Sequence, residues 1–102
     1  MPWTDALAAD DIAPEGVARF DHGGRSYAIF HGPDGAFYCT AGLCTHEEVH
    51  LADGLVVDFE VECPKHGSLF DYRSGEAATP PACENLVTYP VRLVAGRVEI
   101  DI

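Results

Sequence analysis

Residues 44–46 read Cys-Thr-His, and residues 63–66 read Cys-Pro-Lys-His. Each motif pairs one cysteine with one histidine, and sixteen residues separate the two motifs. In a chain of this composition, either motif is expected by chance only about 0.2 times. Two such motifs at a hairpin's separation therefore predict two loops that meet at one metal centre. The candidate ligands are Cys44, His46, Cys63 and His66.

The order of these ligands distinguishes between kinds of metal site. A plant-type iron–sulfur spacing would use Cys39 and Cys44 but would need a third cysteine where Glu47 stands. Zinc sites typically group two cysteines and then two histidines, whereas each motif here mixes the two residue types. If two histidines replace two cysteines on one iron of a two-iron cluster, each loop supplies one ligand of each type. A two-iron cluster is favoured, and a structural zinc module is the alternative.

The sequence resembles Rieske [2Fe-2S] proteins, tightly from residue 40 to residue 90 and loosely at the N-terminus. The resemblance is carried by the two motifs, by residues 67–71 (Gly-Ser-Leu-Phe-Asp), by residues 71–75 (Asp-Tyr-Arg-Ser-Gly), by Pro80-Pro81 and by a final hairpin. Beyond the ligand motifs, these features resemble the small Rieske ferredoxins that feed multicomponent bacterial oxygenases. The resemblance implies one [2Fe-2S] cluster, with Cys44 and Cys63 on the inner iron and His46 and His66 on the outer iron. Pro80 and Pro81 would lie in a loop that covers the cluster.

Departures from the respiratory members of the family predict a low reduction potential. Those proteins link the two cluster loops by a disulfide, and the corresponding positions here are Val49 and Lys65. They also have a tyrosine where this chain has Phe70, although the serine expected to bond a cluster sulfur is kept as Ser68. Because fewer hydrogen bonds to sulfur stabilise the reduced cluster less, we expect a potential near the low end of about −150 to +300 mV.

The net charge of −11 limits the kinds of partner. Nucleic acids and anionic membranes both require clustered Lys and Arg, so basic proteins are the expected partners. Residues 44–85 hold nine of the 17 acidic residues, including Glu47 and Glu48 beside His46, which should lower the potential and give the cluster end an acidic rim. The resemblance implies an electron carrier and not an enzyme. Its partners would be an NAD(P)H-dependent flavoprotein reductase and a terminal Rieske oxygenase acting on an aromatic ring or a small amine.

Hydropathy alternation predicts an all-β domain. Strands are expected on both sides of the turn at 22–24, over 36–39, and in a closing hairpin over 87–102 whose buried face includes Val87, Leu93 and Val98. Pro90 should mark an edge strand or a bulge, and residues 1–15 are mixed and polar. We expect one Rieske domain, 1–102. An antiparallel sandwich or barrel base (about 1–40 and 86–102) would carry an inserted cluster-binding subdomain (about 41–85).

The remaining residues carry further hypotheses. Cys39 and Cys83 are expected to be buried free thiols, and His22 and His31 to be solvated. His50 follows the first motif, and a place on a docking surface is one hypothesis for it. Without a signal peptide or an apolar run of membrane length, the chain is expected to be a cytoplasmic monomer. A Rieske-like small subunit of a nitrite reductase is a further alternative, which the presence of all four ligands disfavours.

Overall fold

The strands form three antiparallel sheets. The computed structural model describes residues 3–44, 49–65, 67–78 and 84–102. The first sheet has the order β1-β10-β9, the second β2-β3-β4-β8 and the third β5-β6-β7. The strands are β1 Trp3–Ala8, β2 Val17–His22, β3 Arg25–His31, β4 Phe37–Ala41, β5 Leu55–Val57, β6 Glu60–Glu62, β7 Leu69–Asp71, β8 Thr88–Tyr89, β9 Val91–Val94 and β10 Arg97–Asp101. Two 3₁₀ helices, Ala9–Asp11 and Leu51–Asp53, complete the described elements.

Strand β3 lies in the middle of this arrangement and is buried on both faces. Tyr27 and Ile29 pack in a core cluster with Val98 and Ile100 of the first sheet. Ala28 and Phe30, which point the other way, pack in a second cluster with residues of the third sheet. Because side chains alternate along a strand, a run of four buried residues requires a layer on each side. The sheets therefore form three layers, and the predicted all-β, antiparallel fold is confirmed.

The hairpin predictions for the first half of the chain are confirmed. His22 pairs with Arg25 across a turn whose two glycines have φ of 60° and 79°, the left-handed conformation that a two-residue hairpin needs. Strand β1 was not predicted, since residues 3–8 show no regular alternation. It pairs with β10 at the far end of the chain, and Arg92 of β9 stacks on Trp3 at 4.4 Å.

Pro90 lies between two edge strands, as predicted, but the closing hairpin is divided there between two sheets. The chain does not continue as one strand there: β8 pairs with β4, whereas β9 pairs with β10 in the other sheet. Proline cannot donate a ladder hydrogen bond, so it lies where the chain changes sheets. Val98 is buried as expected, but Val87 and Leu93 are 59% and 53% exposed, and that part of the prediction is wrong. Among the described residues, no helix has the length and apolar character needed to cross a membrane.

Candidate metal centre

Cys44 and Cys63 each begin a six-residue loop closed in the same way. The Cys44 amide donates to the carbonyl of Val49 at 3.0 Å, and the Cys63 amide donates to the carbonyl of Ser68 at 2.7 Å. Paired backbone flanks both loops, since Leu43 bridges to His50 and Glu62 pairs with Leu69. The described residues that flank the two motifs are therefore paired in the same way.

Both cysteines are buried in one apolar cluster. Cys44 is 5% exposed and Cys63 is 1% exposed, and they share a contiguous core with Leu51, Val61 and Phe70. Soft thiolate ligands on two matched loops, surrounded by apolar side chains, suit an iron–sulfur cluster shielded from water. The described residues of the site thus fit a [2Fe-2S] cluster. The predicted ligands His46 and His66 lie outside the described residues, as do Glu47, Glu48, Pro80, Pro81 and Cys83.

The second loop is supported by its glycine and by the strands around it. Gly67 has φ of 73°, and its amide donates to the Cys63 carbonyl at 3.1 Å, which turns the chain back toward β7. Ser68 and Phe70, which follow it, are fully buried. Tyr72 stacks on Phe30 of β3 with ring centroids 4.3 Å apart, so it joins this region to the second sheet.

Cys39 lies in a different environment from Cys44 and Cys63. It is 1% exposed in the cluster between the first two sheets, as expected for a buried thiol. Burial raises its pKa to about 12. Because only the thiolate is a good metal ligand, the protonated Cys39 thiol contributes to core packing and not to a metal site. His31, expected to be solvated, is partly buried: its Nδ1 lies 3.0 Å from the Ile12 carbonyl and its ring stacks on Phe37.

His50, which follows the first loop, has a hydrogen-bond partner at each ring nitrogen. It is 5% exposed, so the hypothesis that its side chain lines a docking surface is wrong. The Ala52 amide donates to Nδ1 at 3.0 Å, which leaves the proton of the neutral ring on Nε2, 2.8 Å from Ser26 Oγ. Ser26 in turn donates to Asp21 at 2.6 Å. The sequence gives no local signal for this chain of hydrogen bonds, since 24 positions separate Ser26 from His50.

The pKa of His50 is lowered, first by burial and then by the charge of Arg19, although the carboxylates of Asp21 and Asp53 act in the opposite direction. The unfolded chain, with an ordinary His pKa of about 6.5, therefore binds a proton more readily than the folded one. The stability that depends on neutral His50 is fully present above about pH 6.5. It falls as the pH drops toward the lowered pKa of His50 in the folded protein.

We expect His50→Asn to flatten this acid-side loss of stability, because asparagine keeps an acceptor for the Ala52 amide but does not titrate. Thermal midpoints of the wild type and the variant between pH 7.5 and 5 test the expectation. The other histidines are common to both proteins and cancel in the difference. Parallel curves would show that His50 is not the group responsible.

Comparisons with known proteins agree with this geometry. Residues 2–90 match the model of the Rieske [2Fe-2S] domain. The chain belongs to this family, and the predicted type of cofactor is confirmed. It is 36% identical over 102 residues to the ferredoxin component of the naphthalene 1,2-dioxygenase system of Pseudomonas putida, covering 100% of this chain and 97% of that relative.

Solved structures show the same fold. A ferredoxin of Sphingomonas yanoikuyae B1 superimposes with a TM-score of 0.92 at 28% identity, covering 99% of each chain. A chain from a complex of reduced oxygenase and oxidized ferredoxin in carbazole 1,9a-dioxygenase gives 0.90 at 30% identity, covering 96% of this chain and 91% of that one. A chain described as the small subunit of an NADPH nitrite reductase gives 0.86 at 21% identity, a likeness of fold alone.

Proposed function

We propose that this chain is a one-electron carrier of a Rieske oxygenase system. It takes electrons from an NAD(P)H-dependent flavoprotein reductase and passes them to a terminal oxygenase that acts on an aromatic ring or a small amine. The observation that carries the proposal is the pair of matched loops, each beginning at a buried cysteine, Cys44 or Cys63. The 36% identity to a dioxygenase ferredoxin component along the whole chain supports it.

Each proposed ligand has a distinct role. Cys44 and Cys63 would hold the inner iron, and His46 and His66 the outer one nearer the surface. The bound cluster supplies a site that accepts and releases one electron. The chain shields that site from water with Leu51, Phe70 and the rest of their core, and fixes the loops with the two closing hydrogen bonds. In domain terms, residues 41–85 would be the cluster-binding subdomain, and about 1–40 and 86–102 the base.

The carrier is proposed to act as a cytoplasmic monomer that docks on basic surfaces of both redox partners. Its acidic residues support such docking, because opposite charges accelerate encounter. In the described part of the chain, Cys39 and Cys63 form no disulfide, which suits a reducing compartment. No specific observation favours the zinc module or the nitrite reductase subunit.

Reconstitution tests the proposal directly. NADH, the reductase and oxygenase of the Pseudomonas putida naphthalene 1,2-dioxygenase system, and this chain in place of the native ferredoxin are expected to oxidise naphthalene. Omission of the chain should stop the reaction, and added salt should slow it by screening the docking charges. If the dithionite-reduced protein fails to reduce the oxygenase at low salt, the proposed delivery of electrons is wrong.

Phe70→Tyr is expected to raise the reduction potential. Phe70 is fully buried in the cluster that contains both cysteines, and we expect a hydroxyl there to donate to a cysteine sulfur. A bond that favours the reduced form by about 1 kcal/mol corresponds to about 40 mV for one electron. Redox titration of the two proteins measures the shift. Phe20→Tyr in β2, outside that cluster, is the control, and equal potentials at position 70 would show that the hydroxyl reaches no sulfur.

A further inference from the structure

The outer face of the β5-β6-β7 sheet combines aliphatic and acidic side chains. Cross-strand pairing aligns residues 55, 62 and 69 in one row and residues 57, 60 and 71 in the next. The opposite face carries Val61 and Phe70, both fully buried in the core. We call the outer face the flank surface; its members are Leu55, Val57, Glu60, Glu62, Leu69 and Asp71.

The edge of this face is exposed and apolar. Leu55 is 61% exposed and Val57 is 55% exposed. Their strand, β5, pairs only with β6 among the described elements, and it carries no charged residue. The shortness of β5, three residues, limits pairing at this edge, but the strand carries no lysine or proline and no other described strand pairs with it. Leu55 and Val57, adjacent and exposed on this face, offer another molecule apolar contact beside an acidic row.

The flank surface begins at the second cluster loop. Glu62 directly precedes Cys63, and Leu69 directly follows Ser68, so the row nearest the loop is part of its stem. The Glu62 carboxylate also reaches toward the loop, where its Oε2 would lie 4.0 Å from a Cβ built on Gly67. A partner that contacts this loop can therefore cover the flank surface in the same encounter.

The charges on the flank surface indicate which kind of molecule can bind it. Glu60 and Glu62 form no ion pair with any described residue, whereas Asp71 is paired with Arg73 at 2.8 Å. A second copy of this chain would oppose two unpaired glutamates with two more, at a cost in like-charge repulsion. A partner with aliphatic groups beside lysine or arginine complements both the edge strand and the acidic row.

Reduction of the carrier changes its affinity for its two partners. Reduction adds one negative charge to a chain of net charge −11, so a basic surface docked beside the cluster binds the reduced form more tightly than the oxidised form. The oxygenase must capture the reduced carrier, whereas the reductase must release it. Both partners are proposed to be basic, so the added attraction strengthens binding to either; it favours capture by the oxygenase and opposes release from the reductase.

We propose that the flank surface is a docking site for a basic, aliphatic face of the terminal oxygenase, in addition to any contact at the cluster loops. This inference rests on the proposed function. It adds that Leu55 and Val57 contribute apolar contact and that Glu60 and Glu62 contribute attraction.

The apolar part is tested with Leu55→Ser/Val57→Ser. The control is Leu93→Ser/Val94→Ser, which removes two exposed aliphatic side chains from β9. Reduced carrier is mixed with the Pseudomonas putida naphthalene dioxygenase oxygenase, and the second-order rate of oxygenase reduction is measured over a range of ionic strengths. We expect the flank variant to be slower by about fivefold to tenfold at every ionic strength, and the control to match the wild type. Equal rates in the two variants would overturn the proposal.

The acidic part is tested with Glu60→Gln/Glu62→Gln against Asp10→Asn/Glu15→Gln, which removes two exposed charges from the base. Wild-type carrier is expected to reduce the oxygenase faster at low salt than at high salt. The flank variant should lose most of this acceleration, and the control should lose little of it. Redox titration of all variants shows whether a change in rate comes from docking or from a changed reduction potential. If wild-type carrier transfers electrons and the flank variants match their controls, this inference fails alone. If wild-type carrier transfers none, the proposed function fails with it.

Discussion

Cys63→Ser is expected to abolish the [2Fe-2S] cluster, whereas Cys39→Ser leaves it intact. Both cysteines are 1% exposed, so burial does not distinguish them. Cys63 begins a cluster loop and lies in the same core as Cys44. Cys39 packs between the first and second sheets, where burial raises its pKa to about 12 and keeps it a thiol. The pair therefore compares a proposed ligand with a structural cysteine at matched burial.

Iron and acid-labile sulfide per chain measure this difference, with visible absorbance as a second readout. We expect iron to fall at least about tenfold in Cys63→Ser and to stay at the wild-type level in Cys39→Ser. Far-UV circular dichroism monitors the fold of both variants. Equal iron content in the two variants would contradict the assignment of Cys63 as a ligand.

Gly75→Ala is expected to destabilise the protein more than any other single glycine substitution at a positive-φ position. Gly75 has φ of 80°, and an added Cβ would lie 2.1 Å from the Leu86 carbonyl oxygen. The Leu86 amide donates to the Gly75 carbonyl at 2.7 Å, and Leu86 packs in the core that contains both cluster cysteines. The clash involves backbone, which cannot rotate away as a flexible side chain can, so this contact must break or shift.

Gly96→Ala is the matched control. Gly96 has a similar φ of 77°, but nothing lies within 4 Å of its added Cβ, so that variant carries only the cost of a left-handed alanine, about 1–2 kcal/mol. The backbone clash at position 75 should add at least about 2 kcal/mol, which lowers the thermal midpoint by about 10 °C relative to the control. Equal midpoints under identical scan conditions would show that the backbone at Leu86 moves away from the added Cβ at little cost in stability.

The sequence predicts those features of the site that depend on spacing. Cysteine and histidine two or three positions apart fit one tight loop, and in the structure the amides of Cys44 and Cys63 form matching hydrogen bonds, to the carbonyls of Val49 and Ser68. The hairpin at 22–25 is similarly local, because two glycines supply its turn. Assignment of His46 and His66 as ligands stays a prediction from the motif.

Features that depend on distant contacts were missed or wrong. Strand β1 is held by β10 from the other end of the chain, and its own residues show no period of two. His50 was considered for a docking surface because of its place in the sequence, yet Ser26 lies beside it only once β3 is formed. Leu93 alternates as a buried residue would, but the sheet change at Pro90 leaves it on an exposed edge strand.

The most direct test of the account is the metal content of protein purified without air. Iron, zinc and acid-labile sulfide are measured per chain, and an electron paramagnetic resonance spectrum is recorded after dithionite reduction. Two irons, two sulfides and an average g value below that of an all-cysteine cluster are predicted. One zinc, no sulfide and no signal would contradict the electron-carrier account and make the matched loops a zinc-stabilised module.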